Sequence, residues 1–364
     1  METRMLSDQV KIFTNRQETI IVRSNEIVWK IFPMYIQKIE KIQKALENLV
    51  HNEAECRLCP RECRVDRSRG EKGFCQMANQ ASVSHVILHY GEEPILSGHH
   101  DCTKTTKTEH HLRQGSGALF FSGCNLKCLF CQNYQLSWFN KGTEFSSEEL
   151  STHMLNLQKK GALNINLVSP THLIIPILKA LKSAYEHGLE LPLVYNSNGY
   201  ERAEVIRQLD GIVDIYLPDL KYFSPRMSAK FSGAEDYFDY ASTTIQEMFR
   251  QQPELICNDS DVAERGIIIR HLILPGQSED SIHILGWIAC NLSGQVGLSL
   301  MSQYYPCFKA PPSLQRTLDP KEYAKVLDRA FELELENLFY QSESFSPNEH
   351  LLPDFDRGDP FEWT

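Results

Sequence analysis

Residues 115–133, GSGALFFSGCNLKCLFCQN, hold the pattern that sets the expected fold and chemistry of this chain. A glycine-flanked apolar run predicts a buried strand. The loop after it carries Cys124, Cys128 and Cys131 with the spacing C-x3-C-x2-C. Three thiolates so close together suit a metal cluster better than any other use. Because a cubane iron–sulfur cluster usually takes four cysteines, this loop would leave one iron with an open coordination position, where chemistry can occur.

The composition is that of an ordinary globular protein. The chain has 364 residues, 42% of them hydrophobic and 23% charged, which is enough for one large α/β barrel with smaller attachments. Its 37 basic and 47 acidic side chains give a net charge of -10, which argues against a nucleic-acid surface as the main partner. The sequence shows neither a secretory-signal pattern nor a run of about 18 apolar residues. We therefore expect a cytoplasmic protein with no membrane partner.

A second cysteine cluster lies upstream, in residues 56–75. This segment has turn-forming glycines and few apolar side chains, so it predicts a small knuckle stapled by a metal. The four candidate ligands are Cys56, Cys59, Cys63 and Cys75. Zinc and a second iron–sulfur cluster both suit four thiolates, and free thiols are the remaining alternative. The other cysteines, expected to be ordinary apolar side chains, are Cys102, Cys257, Cys290 and Cys307.

Downstream of the cysteine loop, apolar strands alternate with amphipathic helices, which predicts an α/β fold with a parallel sheet and right-handed crossovers. Besides the strand before the loop, we expect strands at 164–168, 191–195, 211–217, 266–274 and 296–301. We expect helices at 35–50, 146–160, 174–187, 202–209, 281–290 and 321–334. About six strands correspond to a partial parallel (β/α)6 barrel.

The expected organisation has four parts. Residues 1–50 form an N-terminal helical extension, and residues 51–112 form the cysteine knuckle with a connecting strand and loop. Residues 113–310 form the partial barrel, and residues 311–364 form a C-terminal helix and tail. Residues 99–114, which cross the boundary between the second and third parts, are polar and rich in histidine. Such a stretch is typical of a solvated loop and predicts an insertion at the mouth of the site, with metal binding as the less favoured alternative.

Polar side chains follow the predicted strands at the points where the strands end. Asn196 and Ser197 follow one strand, Asp219 and Lys221 follow the next, and Arg270 lies near the end of a third. In a parallel α/β barrel the carboxyl ends of the strands meet at one face, where ligands bind. Because the cysteine loop also follows a strand, we expect its thiolates and these polar groups on the same face.

The cysteine loop, with Phe130 directly before its last cysteine, resembles that of the radical S-adenosylmethionine (radical SAM) enzymes. Roughly residues 50–340 resemble the activating enzymes of glycyl-radical enzymes. The likeness is strongest to a little-characterised branch related to the pyruvate formate-lyase activating enzyme, which has an N-terminal cysteine knuckle. It is carried by residues 91–94, 120–134, 164–172, 194–200, 213–222, 269–276 and 301–306.

This resemblance implies the cofactors and the reaction. Cys124, Cys128 and Cys131 would be the catalytic, metal-binding residues and would hold three irons of a [4Fe–4S] cluster, while the amino and carboxylate groups of SAM chelate the fourth. Reductive cleavage of SAM would give methionine and a 5′-deoxyadenosyl radical. A flavodoxin- or ferredoxin-type donor would supply the electron. An activating enzyme uses the radical to abstract hydrogen from a glycine of a partner glycyl-radical enzyme.

The resemblance also implies the residues that bind SAM. They are Phe130, Asn196, Ser197, Asp219, Lys221 and Arg270. Phe130 would contact the adenine, and Arg270 would lie near the methionine carboxylate. Asp219 and Lys221 would fix a ribose hydroxyl and a carboxylate through charged hydrogen bonds.

Three positions depart from the activating-enzyme pattern. Residues 169–171 lack its Gly-Gly-Glu run, Asn196 replaces an acid, and Tyr305 stands where a histidine is common. One alternative is therefore a radical SAM enzyme that acts on another protein, a peptide or a small molecule. A more remote alternative is a non-catalytic iron–sulfur or zinc protein.

Overall fold

The structure, a computed structural model, describes residues 3–7, 10–15, 18–23, 26–27, 32–98, 114–340 and 352–362. Its strands are β1 (Thr3–Ser7), β2 (Val10–Asn15), β3 (Glu18–Arg23), β4 (Glu26–Ile27), β5 (Ala81–His89), β6 (Ser116–Phe121), β7 (Thr143–Phe145), β8 (Asn164–Val168), β9 (Leu193–Ser197), β10 (Ile215–Pro218), β11 (Ile256–Cys257), β12 (Ala263–Leu272), β13 (Gly297–Met301) and β14 (Leu338–Tyr340). Its α-helices are α1 (Phe32–Leu49), α2 (Pro94–Ser97), α3 (Tyr134–Ser137), α4 (Ser147–Lys159), α5 (Ile174–Glu186), α6 (Ala203–Arg207), α7 (Pro225–Ser232), α8 (Tyr237–Gln251), α9 (Ser278–Asn291) and α10 (Pro320–Glu332).

One large sheet forms the body of the protein. Its parallel part runs in the order β6-β8-β9-β10-β12-β13-β14, and helices connect successive strands. β5 pairs antiparallel with β6 and with β7, so β7 and β14 are the two ends of the strand order. This mostly parallel sheet confirms the predicted α/β class. The six strands expected for the partial barrel correspond to β6, β8, β9, β10, β12 and β13.

Both faces of the sheet are buried. In β6, Leu119 and Phe121 point to the main core, whereas Ala118 and Phe120 belong to a smaller cluster on the other face. This alternation follows from the two-residue period of a strand. On the inner side, α2 adds Ile95 and Leu96 to a cluster with apolar residues of β9, β10 and β12. The helix therefore fills one end of the space that the strands enclose.

The N-terminal region differs from the expected helical extension. β1 to β4 form a small antiparallel sheet, and the helix begins only at Phe32. The short run Thr19-Ile20-Ile21-Val22 is β-branched throughout, which favours a strand. The predicted helix itself is present as α1, and its residues Ile42 and Leu49 are buried in the main core. Within the described residues, no helix combines the length and apolar character needed to cross a membrane.

Candidate active site

The cysteine loop begins directly after β6 and turns through Gly123, whose φ of 80° lies in the region that favours glycine. Each of its three sulfur atoms accepts a hydrogen bond from another part of the chain. Asn198 Nδ2 donates to Cys124 Sγ at 3.3 Å, Ser232 Oγ to Cys128 Sγ at 3.0 Å, and Ser137 Oγ to Cys131 Sγ at 3.2 Å. Sulfur is a weak acceptor as a thiol and a better one as a thiolate. The loop is therefore prepared for negatively charged sulfur.

Burial opposes that charge in the absence of a metal. It raises the pKa of Cys131 to about 12, and the neighbouring Cys128 adds to the shift. The pKa of Cys124 is raised for the same two reasons, burial first. Metal binding requires deprotonated thiols and offsets this desolvation with its positive charge. The donor set consequently fits an iron cluster better than three free thiols.

A cavity of about 740 Å³ opens beside Cys128 and Cys131. Its volume is in the range of sites for small ligands and cofactors. The wall contributed by the carboxyl ends of the parallel strands consists of Val168, Asn196, Asp219, Lys221, Arg270, Leu272, Leu274, Met301, Gln303, Tyr304 and Tyr305. The strand-end side chains thus gather on the face that carries the cysteine loop, as the alternation of strands and helices predicted.

A charged network crosses this wall. Lys221 Nζ donates to Asp219 Oδ2 at 2.6 Å, and Arg270 Nε donates to Asp219 Oδ1 at 3.0 Å. A second guanidinium nitrogen of Arg270 donates to Asn196 Oδ1 at 2.6 Å. Burial works against the charge of Asp219, but Lys221 and Arg270 outweigh it and lower the pKa of this carboxyl. Burial likewise opposes the charge of Lys221, yet Asp219 raises its pKa overall. All three groups are therefore ionised at neutral pH.

Glu92 belongs to the same network, and sequence reasoning did not assign it a role. Its Oε2 lies 3.5 Å from a guanidinium nitrogen of Arg270, and its Oε1 accepts a hydrogen bond from Asn166 Nδ2 at 3.1 Å. The only sequence signal for Glu92 was its position in residues 91–94, a run that supports the family resemblance but to which no function was assigned. Because β5 is antiparallel to β6, Glu92 enters the cavity from the opposite end to the strand-end residues.

The apolar part of the cavity is formed by aromatic and aliphatic side chains. Phe130 lines it and makes an edge-to-face contact with Tyr304, with ring centroids 5.7 Å apart. Leu272 and Met301 lie on the same wall. A flat, weakly polar group such as a purine fits a surface of this kind. The cavity therefore combines an apolar region, a charged region and the thiols of the loop.

The C-terminal segment 352–362 closes one side of the cavity. Phe355 is 1% exposed and packs on the inward-facing Phe120 at 5.5 Å between ring centroids. Phe361 lies 4.1 Å from the ring of His89, and Pro353, Asp359 and Phe361 line the cavity. Burial lowers the pKa of His89 to about 4, so this imidazole is neutral at physiological pH.

The predicted site residue Ser197 points away from the cavity, and so does Thr171 in the turn 169–171 that lacks the Gly-Gly-Glu run. Ser197 is buried outside the cavity wall, and its hydroxyl accepts a hydrogen bond from Gly199 N–H at 3.2 Å. Thr171 donates to the buried carboxylate of Glu201 at 2.5 Å rather than facing the cavity. Ser169 adopts a left-handed backbone with φ of 61°. The histidine-rich insertion, apart from Gln114, and Cys102 lie outside the described residues.

Comparison with known proteins identifies the class. The Radical SAM superfamily model matches residues 119–287, which include the cysteine loop and the strands that form most of the cavity. An uncharacterized protein of Methanocaldococcus jannaschii is 30% identical over 296 residues, 78% of this chain and 76% of that protein. A second uncharacterized protein of the same organism is 23% identical over 284 residues, 75% of this chain and 78% of that protein. The chain belongs to the radical SAM superfamily.

Two solved structures show a distant likeness. SuiB of Streptococcus suis, solved bound to S-adenosylmethionine, has a TM-score of 0.45 and 10% identity over 94% of this chain and 73% of its own. Methylornithine synthase (PylB) has a TM-score of 0.39 and 14% identity over 60% of this chain and 68% of its own. Membership of the superfamily implies an enzyme that uses a [4Fe–4S] cluster and SAM. The thiols and the cavity described above fit that pair of groups.

Proposed function

We propose that this protein is a radical SAM enzyme of the activating type, which abstracts hydrogen from a glycine of a partner glycyl-radical enzyme. One observation carries the proposal: a loop of three hydrogen-bonded thiols presents two of them, Cys128 and Cys131, to a cavity that holds paired cationic and acidic side chains. The sequence resemblance to activating enzymes supports the choice of partner.

The chain's own residues would bind and orient the cofactors. Cys124, Cys128 and Cys131 would hold the cluster. SAM bound to the cluster would supply a 5′-deoxyadenosyl radical on reductive cleavage. Lys221 and Arg270 carry positive charge for the methionine carboxylate, because charged hydrogen bonds are short and strong. Arg270 is held in place by acidic neighbours, so little ordering is needed when the ligand binds.

The remaining parts of the cavity would bind the adenine and ribose of SAM and shield the radical from water. Phe130 and Tyr304 offer the adenine an aromatic surface. Phe361, at the C-terminal side, helps to keep water away from a reactive radical. Asp219 would accept a hydrogen bond from a ribose hydroxyl while it fixes the two cations.

The first test measures 5′-deoxyadenosine after anaerobic reconstitution with iron and sulfide and addition of SAM and dithionite. The second incubates the enzyme with candidate glycyl-radical enzymes and records the backbone radical by electron paramagnetic resonance. We expect both signals from the intact protein, and neither from Cys128→Ser. An intact cluster that forms no 5′-deoxyadenosine would overturn the enzyme proposal. SAM cleavage with no glycyl radical on any such partner from the source organism would overturn the activating role alone.

The C-terminal segment favours a second candidate, a radical SAM enzyme that modifies a small molecule. Phe355 and Phe361 fill the side through which a large substrate loop could enter. The double variant Phe355→Ala/Phe361→Ala separates the two candidates. If a protein loop displaces this segment, the variant should form the glycyl radical faster than the intact chain. If the segment completes a small-molecule site, the variant should cleave SAM without forming product.

A further inference from the structure

The four upstream cysteines gather into one group, in which three are buried and Cys63 is half-buried. Cys56, Cys59 and Cys75 are 2%, 7% and 3% exposed, and all four thiols are free. Cys59 lies close enough to interact electrostatically with each of the other three. Four thiols concentrated in residues 56–75, without a disulfide, form a set of ligands that suits a metal centre.

Hydrogen-bond donors converge on these sulfur atoms. The backbone N–H of Phe74 donates to Cys63 Sγ at 3.2 Å, and a guanidinium nitrogen of Arg67 donates to Cys75 Sγ at 3.2 Å. The backbone N–H groups of Arg61 and Met77, each two residues after a cysteine, donate to Cys59 and Cys75. Leu126 N–H stands in the same relation to Cys124 in the active-site loop, at 3.4 Å. The knuckle thus solvates thiolates in the way the cluster-binding loop does.

The backbone of the knuckle is strained around the thiols. Glu62, Arg64 and Gln76 have φ values of 38°, 56° and 63°, in the left-handed region. Gly73 approaches so closely that a Cβ there would lie 2.9 Å from Cys63 Sγ. Left-handed non-glycine residues persist only where the surrounding structure holds them in place. A structural metal contributes folding free energy, so a metal bound here would offset this strain.

Two kinds of metal centre suit four thiolates, and they place the sulfur atoms differently. Within the ranges that the structure describes, no three histidine, cysteine, aspartate or glutamate side chains converge so as to hold one metal ion. That statement covers the knuckle and also the Cys124 loop of a superfamily that uses a four-iron cluster. Zinc needs its sulfur ligands within about 2.3 Å of one point. A four-iron cluster binds each thiolate through a different iron, so its thiolates stand farther apart.

We propose that Cys56, Cys59, Cys63 and Cys75 ligate a second [4Fe–4S] cluster. With four thiolates, every iron has a protein ligand and none is left for SAM. The knuckle lies directly behind the active-site loop, because a Cβ at Gly123 would lie 2.5 Å from the carbonyl oxygen of Cys75. None of the four cysteines lines the cavity. This cluster is separate from the substrate-binding chemistry, whichever substrate the enzyme takes.

The test uses the full chain, reconstituted anaerobically, and a variant that lacks the SAM cluster. Its substitutions are Cys124→Ser, Cys128→Ser and Cys131→Ser. We expect about eight irons per chain in the intact protein and about four in the triple variant. After reduction, the electron paramagnetic resonance signal of the triple variant should be that of a [4Fe–4S] cluster and should not change when SAM is added.

The reciprocal variant is Cys59→Ser/Cys63→Ser, with Cys257→Ser/Cys290→Ser as a matched control that removes two exposed thiols. The reciprocal variant should hold about four irons whose signal responds to SAM, and the control should match the intact protein. A triple variant that holds zinc in place of iron, or no metal, would overturn the proposal. The triple variant keeps all four upstream cysteines, so its metal content tests the proposal even if the reciprocal variant fails to fold.

Discussion

The two cysteine sets differ in what lies next to the sulfur atoms. Cys128 and Cys131 border a cavity of about 740 Å³, whereas none of the four upstream cysteines lines it and three of them are buried. Around the sulfur atoms themselves the two sets are alike, since both receive N–H donors from residues two positions further along the chain. In our proposals, ligand count and access to a cavity, rather than the sulfur environment, therefore separate the reactive site from the structural one.

The largest expected effect comes from removing one thiol of each set. Cys128→Ser should reduce 5′-deoxyadenosine formation by about 10³-fold or more, because the cluster that cleaves SAM is lost. Cys59→Ser should keep this activity within about 10–100-fold of the intact protein, since it alters a supporting region. Anaerobic assays with SAM and dithionite measure both rates. Equal losses in the two variants would show that the knuckle takes part in the chemistry.

The second prediction concerns the packing of the cysteine loop against the four upstream cysteines. Gly123→Ala should destabilise the protein by about 3–4 kcal/mol, because it combines a left-handed φ with a clash against the Cys75 carbonyl oxygen. Gly188 has a φ of 90° and no atom within 4 Å of an added Cβ. Gly188→Ala therefore measures the free-energy cost of a left-handed backbone without a steric clash. We expect about 1 kcal/mol for that control.

Urea unfolding monitored by circular dichroism measures both changes. A Gly123→Ala variant no less stable than Gly188→Ala would mean that the knuckle and the loop do not pack as closely as described.

The strand-end pattern made the fold and part of the site predictable. β8 occupies the predicted residues, and Asp219, Lys221 and Arg270 meet because parallel strands end at one face. Their binding of SAM stays a prediction. Glu92 was missed because no local pattern shows that an antiparallel strand delivers its loop into the same cavity. The contact of Phe355 with Phe120 joins distant parts of the chain, and no periodicity reports such a contact.

His172 lies at the junction of the two sets and should make their packing sensitive to pH. Its Nε2 is 2.7 Å from the Ser122 carbonyl oxygen, and its own carbonyl accepts a hydrogen bond from Arg67. Burial, followed by Arg67 and Lys127, lowers the pKa of His172 to about 4. The unfolded chain, with a histidine pKa of about 6.5, binds more protons between pH 4 and 6.5. Stability therefore rises with pH in this window and is fully present above it.

Acidification from pH 7 to 4 should cost about 3 kcal/mol through this one residue. His172→Gln should remove that share of the pH dependence, and the exposed His187→Gln should leave the dependence unchanged. Free energies of unfolding at several pH values give the comparison. Parallel curves for the intact protein and His172→Gln would contradict the assignment.

The smallest expected effect separates SAM binding from cluster binding at the open site. Asp219→Asn keeps the shape of the side chain but removes the charge that holds Lys221 and Arg270 in place. We expect SAM to bind about tenfold more weakly, because one charge-assisted hydrogen-bond network is lost. Iron content should be unchanged at both cysteine sets, and Asp239→Asn on the exposed face of α8 should behave like the intact protein. Calorimetric titration with SAM, alongside iron analysis, measures the two quantities on the same samples.

If Asp219→Asn lost iron as well, the charged network would support the cluster itself. The contrast between an open site proposed to bind a ligand and a second site proposed to bind only metal would then be weaker than the cavity geometry indicates.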